Sequence, residues 1–217
     1  MAGMTDRWEF DESVAKRFDE EARKHIPHYE EVIQASLSIA LDVFPDKKAR
    51  VLDVGSALGH TLEVFRAAGF EDVHGVDNSA AMLAHSRVRD NLILSDSFPS
   101  DAGMFDVVTA NWTLHFIRDA SLRALYIHDI SKSLSAEGVF ILTDKMEATQ
   151  DEYDGYHNFK RTMGLSDTEI NEKARALEGV LIPFPVQWYE EILSQTGFRS
   201  VEVIDSQWCF NTFVCRR

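Results

Sequence analysis

Asp53-x-Gly55-x-x-x-Gly59 follows a short apolar run and precedes a stretch with helical spacing. Glycines at such a corner allow a tight turn and let another group approach the backbone closely. The same pattern also occurs at a plain strand-turn-helix junction. Asp77 ends the next apolar run, 22 residues after Gly55. In dinucleotide-binding folds an acid about that far along accepts hydrogen bonds from both hydroxyls of a ribose. Asp77-Asn78-Ser79 also reads as the cap of the helix that follows. The turn lacks the third glycine of G-x-G-x-x-G, which counts against the pyrophosphate of a nicotinamide cofactor. Asp53 is placed for an amino group instead, and S-adenosylmethionine carries one on its methionine tail. Asp96, ending a third apolar run, is within reach of an adenine amino group or is a loop carboxylate in Ser95-Asp96-Ser97.

Asn111-Trp112-Thr113-Leu114-His115 closes a fourth apolar run. Asn111 is a candidate ligand contact; Trp112 and His115 read as pocket lining or as core. His115 and Tyr29 are the candidates for a base, should the chemistry need one. Lys160-Arg161 and Lys173-x-Arg175 are cationic in an acidic chain and suit an anionic substrate; they read equally as a solvated helix face balanced by Glu169, Glu172 and Glu178. The remaining histidines show no metal-ligand spacing: His25 and His28 stand three apart, with Pro27 between them.

Elements must exist to hold these groups. Residues 11–44 carry helical apolar spacing, Val14, Phe18 and Ala22 and then a stripe from Tyr29 to Phe44 after Pro27. Strands are expected at 49–54, 72–77, 91–96, 105–111 and 138–144, alternating with helices at 58–68, 79–88 and 119–134. That alternation predicts a parallel sheet covered on both faces, whose ligands bind beyond the carboxyl ends of the strands. Residues 145–185 break it with two helical stretches, one opened by the capping box Ser166-x-x-Glu169 and stopped by Gly179. A helix at 186–196 and strands at 200–205 and 208–215 follow, the last two too close in sequence to be parallel. The expected organisation is a single domain: a helical cap at 1–48, a binding core at 49–144, a helical insertion at 145–185 lying over the pocket, and a final helix and strands at 186–217.

The chain of 217 residues is 45% hydrophobic, enough for a full core, and its 22 Lys and Arg against 36 Asp and Glu give a net charge of −14. Such a balance argues against direct nucleic-acid binding and against an anionic membrane surface, and favours a small-molecule substrate. Cys209 and Cys215, six apart in one expected strand, lie roughly 20 Å from each other and cannot bridge. With no signal-like leader and no apolar stretch of spanning length, the cytoplasm is the expected compartment.

The combination resembles the class I S-adenosylmethionine methyltransferases, with a Rossmann-like, seven-stranded, mostly parallel sheet and an antiparallel last strand. More narrowly, it resembles the carboxy-S-adenosylmethionine synthases and the methyltransferases grouped with them. The resemblance runs from Trp8-x-Phe10-Asp11-Glu12 and Pro27-x-Tyr29 through Asp77-Asn78-Ser79-x-Ala81-Met82 and Asn111-x-Thr113-Leu114. It continues to Lys145, Phe159-Lys160-Arg161-x-x-Gly164 and Leu177-Glu178-x-Val180. It implies cofactor contacts at Tyr29, Gly55, Ser56, Ala57, Asp77, Asn78, Asp96, Ser97 and Asn111, with Asp53 and Gly59 from the turn itself. It also implies N-terminal helices folded back over the pocket, a homodimer, and a link to tRNA wobble-uridine modification. The synthases of this group take a carboxylate from prephenate and clamp it with an arginine. Here that position is Ala174, with Arg175 one residue on, and Ser56-Ala57 replaces Cys-Ser. Losing a charge-assisted contact of that kind costs ~1.5–3 kcal/mol.

These readings converge on an S-adenosylmethionine-dependent transferase, most simply a methyltransferase acting on a small molecule with Trp112, Lys160, Arg161 and Arg175 toward the substrate. The alternatives are carboxy-S-adenosylmethionine synthesis from prephenate, a non-catalytic cofactor-binding module and, more remotely, a nicotinamide oxidoreductase.

Overall fold

A computed structural model describes residues 9–217; Trp8, part of the resemblance above, lies outside the described residues. Seven strands form one sheet: β1 (Val51–Val54), β2 (Val73–Asp77), β3 (Leu92–Leu94), β4 (Phe105–Asn111), β5 (Leu134–Lys145), β6 (Ser200–Gln207) and β7 (Phe210–Arg216). Their order is β3-β2-β1-β4-β5-β7-β6. The first five are parallel, and β7 runs antiparallel between β5 and β6. The chain leaves β1 in one direction toward β3 and returns to β1's other side at β4, so the strand order reverses between β1 and β4.

Side chains alternate across a strand, and here both faces are buried. Leu52, Val108, Phe140 and Leu142 pack on one side with Ile127 and Ile130 of α6 (Ala120–Ser133) and Tyr189 and Leu193 of α9 (Val186–Gln195). Val51, Val107, Val139 and Ile141 pack on the other with Ala40 of α3 (Tyr29–Val43) and Leu62 and Phe65 of α4 (His60–Ala67). Burial on both faces explains why these strands read as continuous apolar runs.

The helical cap consists of α1 (Glu12–Ala15), α2 (Phe18–His25) and α3. Asp11 caps α1, its carboxylate accepting the Ser13 and Val14 N–H groups at 2.9 Å each. The insertion holds α7 (Gln150–Thr162) and α8 (Asp167–Ala176). Both open with a reciprocal capping box, Ser166/Glu169 as expected and Thr149/Glu152 in addition. The sequence reading overextends two elements: the strand expected at 91–96 is only β3 (Leu92–Leu94), so Asp96 lies beyond its end, and the helix expected at 79–88 is only α5 (Ala80–Ala84), because Arg87 N–H turns aside to bond the Leu58 carbonyl at 2.9 Å. Cys209 sits in the turn ahead of β7 rather than within it; both cysteines are free and buried. Among the described residues, no helix is long and apolar enough to cross a membrane.

Candidate functional site

One cavity of about 1110 Å³ opens beyond the carboxyl ends of β1, β2 and β4, under the cap and the insertion. It exceeds the usual 300–1,000 Å³ of a small-ligand pocket, so it has room for two molecules side by side.

The turn after β1 forms its floor. Gly55 and Ser56 N–H groups both donate to the Val76 carbonyl, at 2.8 and 3.1 Å, which pins the turn to β2. Gly55, Ala57 and Gly59 take left-handed φ of 69°, 45° and 74°. The glycines are needed for reasons internal to the protein. A Cβ on Gly55 would overlap the Thr113 side chain, and one on Gly59 would meet Ser86 Oγ at 2.5 Å. Thr113 in turn donates to the Val54 carbonyl at 3.1 Å, tying the end of β4 to the end of β1. Thr113 fills the space a Gly55 side chain would take, while the Gly55 backbone itself lines the cavity. Gly59 does not line the cavity.

Asp77 serves the turn and faces the cavity as well. Its two oxygens accept the Ala57 N–H at 2.9 Å and the Ser79 N–H at 2.8 Å. The cap of α5 is Ser79, whose Oγ accepts the Met82 N–H at 3.1 Å. Each Asp77 oxygen keeps a further lone pair, the requirement for holding two ribose hydroxyls. Burial raises its carboxyl pKa above the ordinary range. Asp53 is more deeply placed, 3% exposed, and accepts the Thr109 hydroxyl at 2.6 Å. Burial pushes its pKa up to about 7, against the Thr109 and Thr61 hydroxyls that lower it and with the Asp77 charge that raises it. Such a buried acid gains from any cation delivered beside it.

Polar atoms without a protein partner also mark the cavity walls. Ser56 Oγ, Asn111 Oδ1 and Trp112 Nε1 are buried with no hydrogen-bond partner among the described residues, and all three residues line the cavity. A buried polar atom left unpaired costs about 1–3 kcal/mol, so these atoms are poised for a ligand. Asn78 and Asp96 stand at the exposed rim. Ser97 lies outside the cavity and pairs with Ser95 instead. Tyr29, at the start of α3, stacks on Trp112 with centroids 4.8 Å apart, which carries the cap over the pocket as the resemblance implies. Burial, then the neighbouring Asp19 and Glu30 charges, raises the pKa of its phenol, and its ring forms an aromatic wall of the cavity.

The far end of the cavity is cationic. Lys145 at the end of β5 and Lys160 on α7 bracket one ring: their ammonium groups lie 4.9 and 4.0 Å from the Tyr156 centroid. Neither forms an ion pair with the described residues. Lys160 is 5% exposed, and burial, then the Lys145 charge, pushes its pKa down to about 8. Burial also lowers that of Lys145. Tyr156 holds this arrangement against the cap by donating to the His25 carbonyl at 2.7 Å. Lys173 reaches the cavity while paired with Glu21 at 2.8 Å. Ala174 and Arg175 both line it, so Arg175 is carried to the rim next to the expected clamp position. Arg161 is not: it points to solvent and binds Asp167 and Asn158, each at 2.7 Å. Being adjacent, Lys160 and Arg161 stand about 100° apart around α7, and that rotation separates the two fates of a tandem the sequence could not split.

His115, on a 3₁₀ turn (Leu114–Phe116) after β4, is buried at the cavity wall. Its Nδ1 lies 2.7 Å from Asp144 Oδ1 and 3.1 Å from the Lys145 backbone nitrogen. Sequence reasoning missed Asp144, Lys145 and Tyr156 as site residues. The signal was present for the first two, an acid and a base side by side ending an apolar strand. Among the described residues, no group of three or more His, Cys, Asp or Glu is arranged to hold a metal ion.

The comparisons with known proteins agree with this geometry. Residues 23–203 match the profile of the Methyltransferase domain family. The chain is 35% identical over 221 residues to a carboxy-S-adenosyl-L-methionine synthase of Campylobacter fetus subsp. fetus (strain 82-40), covering 96% of this chain and 94% of that one. It is 32% identical over 221 residues, with the same coverages, to the protein of that name from Nautilia profundicola. In structure it resembles magnesium protoporphyrin IX methyltransferase from Synechocystis PCC 6803 with bound SAH, with a TM-score of 0.68 at 14% identity and 96% of both chains covered.

Proposed function

The chain belongs to the methyltransferase-domain family, in the group that includes the carboxy-S-adenosyl-L-methionine synthases, and from that premise we propose that it transfers the methyl group of S-adenosylmethionine to a small, anionic acceptor. The observation that carries this reading is one crevice with two differently charged ends: Asp53 and Asp77 at the mouth of the parallel strands, and unpaired Lys145 and Lys160 across from them.

The residues present fit an adenosyl sulfonium ligand. Asp77 offers two lone pairs to the ribose, Asp53 a buried carboxylate to the ammonium, and Ser56 and Asn111 unpaired oxygens nearby. Once bound, that ligand supplies a methyl group already activated by the sulfonium. What remains for the protein is to orient an acceptor in line and exclude water. Tyr29, Trp112 and the insertion wall off solvent, and Lys145 and Lys160 hold an acceptor's carboxylate against the Tyr156 ring.

Carboxy-S-adenosylmethionine synthesis is the second reading. It is favoured by the similarity to synthases and by the lysine pair, which suits prephenate; Ala174, in place of a clamping arginine, weighs against it. Incubation with S-adenosylmethionine labelled in the methyl group, with prephenate and with a panel of hydroxy- and amino-carboxylates, read by mass spectrometry, separates the readings. Methylated acceptor with S-adenosylhomocysteine supports methyl transfer, and a carboxylated cofactor establishes the second reading. Binding without any product indicates a non-catalytic module. An absence of S-adenosylmethionine binding by calorimetry overturns the proposal. We further infer a homodimer without direct nucleic-acid contact, tested by light scattering and by RNA titration.

A further inference from the structure

Resting on the methyl-transfer reading, we propose that Lys160 is the general base of this site, taking the proton of a methyl acceptor's hydroxyl or amine while Lys145 receives the same molecule's carboxylate.

The surroundings of the Lys160 amine carry the inference. Lys160 borders the cavity from α7 and is 5% exposed. An ammonium brings three N–H donors and no lone pair. Here Nζ has no hydrogen-bond or ion-pair partner among the described residues, only the Tyr156 ring at 4.0 Å. Two cations act on it from other elements, Lys145 at the end of β5 and Lys173 on α8. Lys173 has Glu21 at 2.8 Å to balance it. The Tyr156 face favours the ammonium, one contact set against burial and two like charges. Burial, then Lys145 and Lys173, brings Lys160 down to about 8 against the opposing Cys209 thiol ahead of β7.

Its titratable neighbours are less suited. Burial, then the Lys160 and Lys173 charges, pushes His25 on α2 down to about 4. Burial pushes the Cys209 thiol up to about 11 and the Tyr156 phenol well above its ordinary value. Burial, then the Lys160 charge, also makes His157 a weaker base. Burial lowers Lys145 too, but no cation adds to the effect, so Lys160 gives up its proton first and Lys145 keeps its charge for a carboxylate. A base works best with a pKa near the operating pH, and buried lysines lowered to about 7–8 serve in this way. About a tenth of Lys160 is free amine at pH 7, and the charged remainder helps to draw the anion in. Both amines lie over one ring, so the acceptor is a hydroxy or amino acid whose nucleophile stands close to its carboxylate.

The step balances. The acceptor's O–H or N–H bond breaks, and its proton goes to the lone pair on Nζ. The freed electron pair forms the bond to the methyl carbon, and the carbon–sulfur bond breaks with its pair remaining on sulfur. The products are the methylated acceptor, S-adenosylhomocysteine and a Lys160 ammonium that returns its proton to solvent.

Carbon-13 NMR of protein labelled at the lysine ε carbons reads Lys160 without any acceptor, its resonance identified by its loss in Lys160→Arg. The expected midpoint is about 8; a midpoint at the ordinary ~10.4 overturns the inference. With an acceptor found by the product screen, wild-type kcat/KM should rise with pH through a midpoint of about 8, because the free amine is the active form. Lys160→Arg keeps the charge but cannot deprotonate. Its kcat should fall by about 10²–10⁴-fold with little change in acceptor KM, and the rise with pH should vanish. Lys160→Met, the second variant should arginine disturb the fold, should lose kcat by the same factor. Wild-type kcat in either folded variant sinks the base assignment and leaves methyl transfer intact. No methyl product from the wild type, with Lys160 titrating near 8, instead sinks the functional reading.

Discussion

Asp53→Asn should make the free protein more stable at alkaline pH and its cofactor binding weaker. Asp53 titrates near about 7 in the folded chain and near ~3.9 when unfolded. Between those values the native state holds a proton that the unfolded state has released, so stability falls as pH rises, by about 1.4 kcal/mol per unit. The loss reaches about 4 kcal/mol by pH 8 and is absent at pH 4. Asparagine removes the titration; its oxygen can still accept the Thr109 hydroxyl, while its new N–H₂ group lacks a partner at a cost of about 1–3 kcal/mol. The variant should therefore melt roughly 2–12 °C above the wild type at pH 8 and below it at pH 4.5, at about 2–4 °C per kcal/mol for a domain of this size. Binding moves the other way. An ammonium beside Asp53 draws the carboxylate back to its charged form, so wild-type affinity for S-adenosylmethionine should rise from pH 6 to 8. The variant should lose that rise and roughly 10- to 150-fold in affinity, the worth of one charge-assisted hydrogen bond. Scanning calorimetry and isothermal titration across this pH range test both halves. Parallel melting curves for the two proteins, or unchanged affinity at pH 8, would refute the assignment of Asp53 as a buried acid awaiting a cation.

Asp77→Asn should weaken S-adenosylmethionine and S-adenosylhomocysteine equally, by roughly 10- to 100-fold, because the ribose is common to both; equal affinity of variant and wild type in titration calorimetry would reject the ribose role. Gly55→Ala forces a left-handed φ onto a side chain and drives it into Thr113, so thermal melting should show a loss on the order of 3 kcal/mol, partly recovered when Thr113→Ala is added. Lys160 titrates at about 8 folded and near ~10.4 unfolded. The unfolded chain thus binds the extra proton between those values, and stability rises with pH across that window. Lys160→Met should consequently raise the melting temperature at pH 7, where the buried ammonium costs about 3 kcal/mol, and should abolish any stabilisation that malonate gives the wild type.

How much of this was legible in the sequence depends on whether a feature is local or assembled. Periodicity located the seven strands within a few residues, because the central strands β1, β4 and β5 are buried on both faces and read as apolar runs bounded by turn residues, while the edge strand β6 shows the alternation of a half-exposed strand. The capping box at Ser166 was readable for the same reason, being a contact between residues three apart. Asp53, Asp77 and Asn111 were readable as strand-end polar groups in a fold whose ligands gather at strand ends. What was not legible needed distant residues to meet. The Arg123–Tyr189–Asp144–His115 chain draws on four separate elements, and nothing in Asp144-Lys145 alone indicates that one neighbour faces a buried tyrosine and the other a cavity. The helical phase that sends Lys160 inward and Arg161 outward is equally invisible without the position of Tyr156.

The charge distribution makes the two ends of the crevice intelligible together. In a chain of net charge −14, a lysine readily finds a carboxylate, as exposed Lys24 does with Glu20 and half-buried Lys173 does with Glu21. Lys145 and Lys160 lack one although acidic residues outnumber basic ones, and each loses solvation by being inside. Aromatic rings recover part of that loss, on the order of 0.5–2 kcal/mol per cation–π contact, which leaves both groups destabilising in the free protein. Asp53 is destabilising at the opposite end for the mirror reason. A fold under no functional constraint would relieve both by exchanging these residues for apolar ones of similar volume, since buried charge is commonly neutral or worse for stability. Retaining an unpaired anion at one end and unpaired cations at the other fits a site completed by its substrates, a sulfonium amino acid facing the acid and a carboxylate facing the lysines.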